Sequence, residues 1–281
     1  MPYISEIWKY PVKSMRGIRC EKAHLTRNGI LHDRRWMVIN SDFEFITQRN
    51  VPELTWFTPE ILEENLRIYF KNGQHCDIPF DKVGEIIRVP IWDDSCDAID
   101  QGNNVAEWIN TMLPSHKMGP FRLVRFCDKR ERAVSNKYLK GQESATTFFA
   151  DGYPYLITTT NSLDALNSML TEKGAEPIPM NRFRANIVIS DAGRPFIEDQ
   201  SDSLISYEKG YSLAIRKPCT RCVITTTDQQ SGKRENPKEP LASILKIRKI
   251  PGFEGALFGQ NAILSELGSG VIEEGDMVSF E

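Results

Sequence analysis

The sequence predicts a predominantly β, α+β fold in two domains, an N-terminal β-barrel-like domain followed by a second β-barrel with a few helices. Three observations lead there. Short runs rich in β-branched and aromatic residues, bounded by Gly, Pro, Asn and Asp, recur along most of the chain, which is the signature of many short strands. Apolar residues at helical spacing are confined to two stretches, with a third, short helix opened by a proline. The 281 residues also exceed the usual single domain of about 100–200. The expected division is 1–125 and 126–281, with the polar, basic stretch 127–144 at the junction.

Taken in order, Ile4, Ile7, Trp8 and Tyr10 form a short apolar segment that Pro11 stops. Residues 35–40 (RWMVIN) and 43–49 (FEFITQR) read as two strands around a turn at Ser41 and Asp42. Residues 66–70 and 75–79 make a hairpin, because Asn72-Gly73 between them tolerates the positive φ angles of a tight turn. Strands at 86–91 and 96–99 continue the pattern. A helix interrupts it: behind Asn103 as cap, Val105, Trp108, Ile109 and Met112 share one face, and Leu113-Pro114 ends it. Strands resume at 122–126 and 155–158. A second helix, capped by Asn161, presents Leu163, Leu166, Met169 and Leu170 and fails at Gly174. Strands follow at 186–190, 210–215, 223–227, 262–264 and 277–280, with a short helix starting at Pro240.

The composition, 40% hydrophobic, 26% charged and 10% aromatic, is that of a soluble globular protein without long disorder. A net charge of -3 gives no global reason to expect nucleic acid or an acidic membrane as partner. No run approaches the roughly 18 apolar residues of a membrane span. The start, MPYISEIWKYPVKS, lacks the basic head and apolar stretch of a signal peptide. A cytoplasmic protein is expected.

Six cysteines, Cys20, Cys76, Cys96, Cys127, Cys219 and Cys222, in a long chain of this kind argue against a disulfide framework. Four stand alone and are most simply small apolar residues, whereas Cys219 and Cys222 form a CxxC pair. A closed zinc site needs about four ligands, and His24, His32, His75 and His116 are scattered without ligand spacing. A thioredoxin-like pair owes its reactive thiol to a helix N-terminus, but Cys222 runs into Val-Ile-Thr-Thr-Thr, which prefers strand. Two structural thiols near a turn remain the plain alternative. Against it, Lys217, Thr220, Arg221 and the hydroxyls at 225–227 surround the pair in sequence. Nearby cations favour the thiolate, the form that ligates a soft metal.

Basic groups also sit where strands begin or end: Lys13 with Ser14, Arg34 with Arg35, and Arg182 and Arg184 ahead of Asn186. Lys and Arg with Ser or Asn can hold a phosphate or other polyanion. Each taken alone reads first as solvated surface charge.

Together these segments resemble the MOSC family (molybdenum cofactor sulfurase C-terminal domain), in the version with a MOSC N-terminal β-barrel domain in front that includes the amidoxime-reducing components. YPVKSMRG (10–17) and DRRWMVI (33–39) are similar to the N-terminal domain. FADGYPYLI (149–157), NRFRANIVIS (181–190), KPCTRCVITTTD (217–228), KEPL (238–241) and FGQNAIL (258–264) are similar to the MOSC domain, in family order. The resemblance implies a molybdenum cofactor whose metal takes its protein ligand from Cys222, also the catalytic centre. Lys13, Ser14 and Arg34 would reach the cofactor from the N-terminal side. Asp151, Arg184, Asn186, Thr220 and Arg221 would hold the pterin and its phosphate. Cys219 would be a structural neighbour.

The implied activity is the reduction of small N-hydroxylated compounds, namely hydroxylamines, amidoximes and N-hydroxylated bases. Some relatives carry a C-terminal ferredoxin-like domain with four cysteines, to which EEGDMVSFE (273–281) offers no counterpart. No intrinsic iron–sulfur cluster is therefore expected, and electrons would come from a separate flavin reductase or ferredoxin-like protein. The resemblance also carries an association with pyridoxal phosphate binding. Two other functions are open: a carrier of molybdenum cofactor or sulfur without turnover, and a plain β-barrel interaction module, in which Lys13, Arg34 and Arg184 would lie apart.

Overall fold

The computed structural model describes residues 1–265 and 270–281. Its largest sheet has eight strands, in the order Ser279–Phe280, Ser203–Ser206, Tyr211–Thr220, Leu257–Leu264, Tyr155–Thr159, Ile187–Ser190, Tyr3–Lys9 and Ile18–Cys20. Tyr155–Thr159 and Ile187–Ser190 are parallel, and the helix Thr160–Glu172 lies in the crossover between them, as a parallel pair requires. The sheet closes on itself. Ile4 N–H donates to Asp276 O at 2.9 Å, Gly275 N–H to Ile4 O at 2.7 Å and Val278 N–H to Pro2 O at 3.0 Å. These bonds join the seventh strand to the segment leading into the first. Closure removes exposed edges and encloses a core that includes Ile4, Ile7, Ile157, Ile187, Leu213, Ala262 and Ile272.

The other half contains a four-stranded sheet, ordered Trp36–Ile39, Arg122–Phe126, Asp94–Asp100 and Ile86–Ile91, and a three-stranded sheet of Phe57–Ile61, Asn65–Phe70 and His75–Pro79. The helix Asn103–Met112 buries Val105 and Ile109 in a core with Trp36, Phe57, Leu66 and Phe121. Chain order and packing order differ here. Ala23, Leu25 and Ile30 pack into the core of the large sheet with Ile187 and Leu213. The chain leaves that sheet at Lys9, packs Val12 and Met15 into the other core, returns to the sheet at Ile18–Cys20 and enters the four-stranded sheet at Trp36, so Tyr10–Met15 and Leu31–Arg35 run along the seam. Among the described residues no helix is long and apolar enough to cross a membrane.

Several local expectations change. Residues 43–49 are not a strand: only an isolated bridge joins Phe45 to Ile39. Asn40 Oδ1 accepts from the N–H groups of Asp42 and Glu44, and Phe43 takes φ 62°, so the polar side chain competes with the ladder. Residues 223–227 do not form a strand either. Val223–Thr226 is a single 3₁₀ turn capped by Cys222. The hydroxyls of Thr225 and Thr226 donate back to the carbonyls of Cys222 and Val223 at 2.9 and 2.8 Å, overriding the strand preference of β-branched residues. The CxxC pair thus ends a strand instead of entering one.

Helix caps shift by one or two residues. Thr159 accepts from Ser162 N–H, while Asn161 Oδ1 accepts from Ala192 N–H. Gly102 occupies the cap position ahead of Asn103, and Pro240 that of Leu241–Ile247. The expected hairpin forms, with positive φ at Gly73 alone of its turn pair. All six cysteines are free thiols, with Cys96 and Cys127 buried.

Candidate functional site

The nine residues singled out from the sequence, Lys13, Ser14, Arg34, Asp151, Arg184, Asn186, Thr220, Arg221 and Cys222, line a single cleft at the seam of the two halves. It opens to solvent and leaves about 130 Å³ for the centres of water-sized molecules. Their convergence follows from the chain path. Lys13, Ser14 and Arg34 lie on the two crossing segments. Arg184 ends the 3₁₀ turn Met180–Phe183, and Asn186 directly precedes Ile187–Ser190. Thr220 closes the ten-residue strand Tyr211–Thr220, and Cys222 opens the next turn. Ser14, Arg34 and Arg184 all take positive φ, at 65°, 47° and 54°. This is unusual for residues other than glycine, and it marks backbone shaped around the cleft.

Most of the cations are held in place by the protein. Lys13, 5% exposed, donates to Phe149 O at 2.8 Å and Asp151 Oδ1 at 2.5 Å. Arg34 donates to Asp33 Oδ2, Asn186 Oδ1 and Arg184 O at 2.5, 3.1 and 3.0 Å. Arg184 donates to Met15 O at 2.7 Å, and Arg221 to Phe183 O at 2.6 Å and Cys219 Sγ at 2.8 Å. The guanidinium groups of Arg34 and Arg184 both lie over the Tyr10 ring, 4.3 and 4.4 Å from its centroid.

Asn186 serves this framework. Its amide accepts from Arg34 and from Leu156 N–H and donates to Trp8 O at 3.1 Å. Arg132, from the seam of the other half, donates to Phe148 O and Ala150 O and so fixes the loop carrying Asp151.

The electrostatics favour an anion. Five cationic side chains, Lys13, Arg34, Arg49, Arg184 and Arg221, face the cleft against one carboxylate, Asp151. Burial pushes Arg184 down to about 10 and Tyr10 up to about 12, the latter opposed by the two guanidinium groups. Burial also lowers the Lys13 pKa, with Asp151 working against it. The Asp151 side chain keeps 62% of its surface open. Burial raises its pKa, but Lys13, Arg49 and the Trp92 indole outweigh this and hold it below the usual carboxylate range.

Arg49, Thr47, Tyr153, Phe183 and Asn261 also line the cleft and were not singled out in the sequence; Cys219, expected as a structural neighbour, lines it too. Arg49 fell in a stretch read as a strand, which hid it. Cys219 carried the one usable signal, its place in the CxxC pair. Behind the wall, Gln48 and Gln229 exchange amide hydrogen bonds of 3.0 and 2.9 Å, and Gln48 also donates to Ser14 O. Arg234 donates to Thr227 Oγ1 at 2.8 Å and to the carbonyls of Gln48 and Arg49. The turn bearing Cys222 is thereby stitched to the other half.

Two family profiles match the chain. The profile of the MOSC N-terminal beta barrel domain matches residues 1–116, and that of the MOSC domain matches residues 145–279. Mitochondrial amidoxime reducing component 2 of Rattus norvegicus is 30% identical over 95% of this chain and 80% of its own. The chain belongs to the MOSC family. Mitochondrial amidoxime-reducing component 1 of Homo sapiens is 28% identical over 98% of the MOSC chain and 82% of its own length. Molybdenum cofactor sulfurase of Bos taurus is 26% identical over 88% of this chain but only 29% of its own. Membership ties the protein to molybdenum-cofactor chemistry.

The residues present suit such a group. Among the described residues, no cluster of three or more His, Cys, Asp or Glu side chains is arranged to hold a metal ion. A metal at the half-buried Cys222 must therefore arrive with donors of its own, as it does within a dithiolene cofactor. The cation-rich wall fits a phosphate, and the buried Arg221 Nε has no partner among the described residues.

Proposed function

We propose that this protein binds a molybdenum cofactor through the Cys222 thiolate and reduces small N-hydroxylated compounds, with electrons from a separate flavin reductase or ferredoxin-like protein. One observation carries the reading: five cations and one carboxylate share one open cleft with the free thiols of Cys219 and Cys222. Each turnover takes a hydroxylamine, two electrons and two protons to an amine and water, breaking the N–O bond.

The chain's own residues bind and orient. Lys13, Ser14, Arg34, Arg184, Thr220 and Arg221 supply donors to the phosphate and pterin, and Asp151 accepts N–H groups of the ring. Asn186 keeps Arg34 in register, and the back-bonded turn after Cys222 fixes the thiol's backbone. Leu156, Phe183 and Ile224 give the cleft apolar wall, which limits water and strengthens charge interactions inside. When bound, the cofactor supplies the two-electron redox chemistry.

A carrier that stores or hands on cofactor or sulfur would use the same residues, and the match to a cofactor sulfurase favours keeping that reading as the rival. The test is molybdenum and pterin content of wild type and Cys222→Ser from a cofactor-producing host, then oxidation of a reduced dye by a hydroxylamine. Stoichiometric cofactor with dye oxidation, and loss of molybdenum or of turnover in the variant, are expected. Cofactor without turnover supports the carrier. No cofactor in folded wild type from a competent host rejects both.

A further inference from the structure

Arg49 differs from the other cations of the cleft. Lys13, Arg34, Arg184 and Arg221 each donate to at least one backbone carbonyl. The Arg49 guanidinium makes no hydrogen bond to any described residue, and its nearest acidic partner, Asp151 Oδ2, is 4.0 Å away. It rests on the Trp92 indole, 4.5 Å from the ring centroid, and keeps 29% of its side-chain surface open. Its five N–H donors are therefore available to a ligand without breaking any protein bond.

Its backbone, by contrast, is fixed. Arg234 donates to the carbonyls of Gln48 and Arg49 while also bonding Thr227 in the turn that follows Cys222. The Gln48 side chain is locked to Gln229 and Ser14. A pinned base with an uncommitted head is the arrangement of a ligand-gripping residue.

Trp92 shows where the head points. The indole is 44% exposed, and its N–H reaches Asp151 Oδ1 at 3.2 Å. Phe45 packs edge-on at 5.1 Å. Arg49 thus lines the cleft with its head backed by an exposed indole.

We propose that Arg49 is the substrate-holding residue of the cleft. It donates to the oxygen of the N-hydroxyl group, while the Trp92 indole backs the guanidinium. This rests on the reading of the cleft as an N-hydroxy reductase. Arg49 fixes the N–O bond and transfers no proton.

Benzamidoxime is titrated into cofactor-loaded protein while tryptophan fluorescence is followed, in wild type, Arg49→Gln, Arg49→Lys and Trp92→Phe, with cofactor content measured in each. Wild type is expected to give a saturable change that Trp92→Phe lacks. Arg49→Gln should bind at least about tenfold more weakly with unchanged cofactor content, the scale of one charge-assisted hydrogen bond. Arg49→Lys should recover part of that loss, since charge remains but the fork is gone. The same ordering is expected in KM, with kcat less affected.

Benzamidoxime binding with the same midpoint in Arg49→Gln overturns the proposal, as does absence of saturable binding in wild type. Loss of cofactor from Arg49→Gln overturns it too, by placing Arg49 on the cofactor. Binding that depends on Arg49 without any reduction in wild type leaves Arg49 as the ligand-holding residue and rejects the reductase reading instead.

Discussion

Glu198→Gln tests whether a buried carboxyl remote from the cleft's cations weakens the fold above neutral pH. Glu198 is fully buried and meets the hydroxyls of Ser162 and Thr159 at 2.9 and 3.3 Å. Burial, the dominant cause, pushes its pKa from 4.5 up to about 7, with Asp199 adding to the rise and Arg248 opposing it. The unfolded carboxyl loses its proton near 4.5, while the folded one keeps it until about 7. Its contribution to stability is thus fully present below 4.5 and lost as pH rises through about 7. At about 1.36 kcal/mol per unit, that gap amounts to a ceiling of roughly 3 kcal/mol.

Glutamine accepts and donates to the same hydroxyls and cannot ionise, so the variant lacks this loss. Urea unfolding of both proteins at about pH 4 and about pH 8 isolates the effect, because titrating groups that do not interact with Glu198 cancel in the difference. The variant should gain about 2–3 kcal/mol relative to wild type on going from the acid to the alkaline condition. An equal difference at both pH values would mean that the folded carboxyl titrates where the unfolded one does, and the reasoning would fail.

Asn186→Ala strips the partner from Leu156 N–H, Trp8 O and one Arg34 donor; a stability loss of about 2–4 kcal/mol is expected by urea denaturation, the cost of buried groups left unpaired. Gly259 has φ 77°, and a Cβ there would lie 2.7 Å from Thr158 Cγ2 and 2.9 Å from Ile157 O. Gly259→Ala should therefore cost about 2–4 kcal/mol, seen as a lowered Tm, since strand backbone cannot yield. Lys13→Met removes the cation bonded to Asp151, so the Asp151 pKa should rise when followed by carbon-13 carboxyl shifts. Cofactor retained through purification should fall in the same variant.

Strand-rich character, both main helices and the hairpin at Gly73 were legible in the sequence, because apolar periodicity and turn residues report on local burial and backbone freedom. The nine site residues were found through their motifs, and local chemistry accounted for only part of them: cations near a CxxC thiol suit a soft metal and a phosphate wherever they stand in the fold. Local preference failed at 43–49 and 223–227. There the side-chain bonds of Asn40, Thr225 and Thr226 decided the backbone.

What the sequence determined by itself was the inventory: a free thiol, Lys and Arg beside Ser and Asn, and enough apolar surface for a two-part β protein. Tertiary structure alone decided that Ile4, Ile7, Ala23, Leu25 and Ile30 complete the core of the C-terminal sheet, which brings Lys13 and Arg34 into one cleft with Cys222. It alone singled out Arg49. A guanidinium is known to be uncommitted only when every neighbour is in place, and those neighbours come from segments more than 40 residues away along the chain, at Trp92 and Asp151.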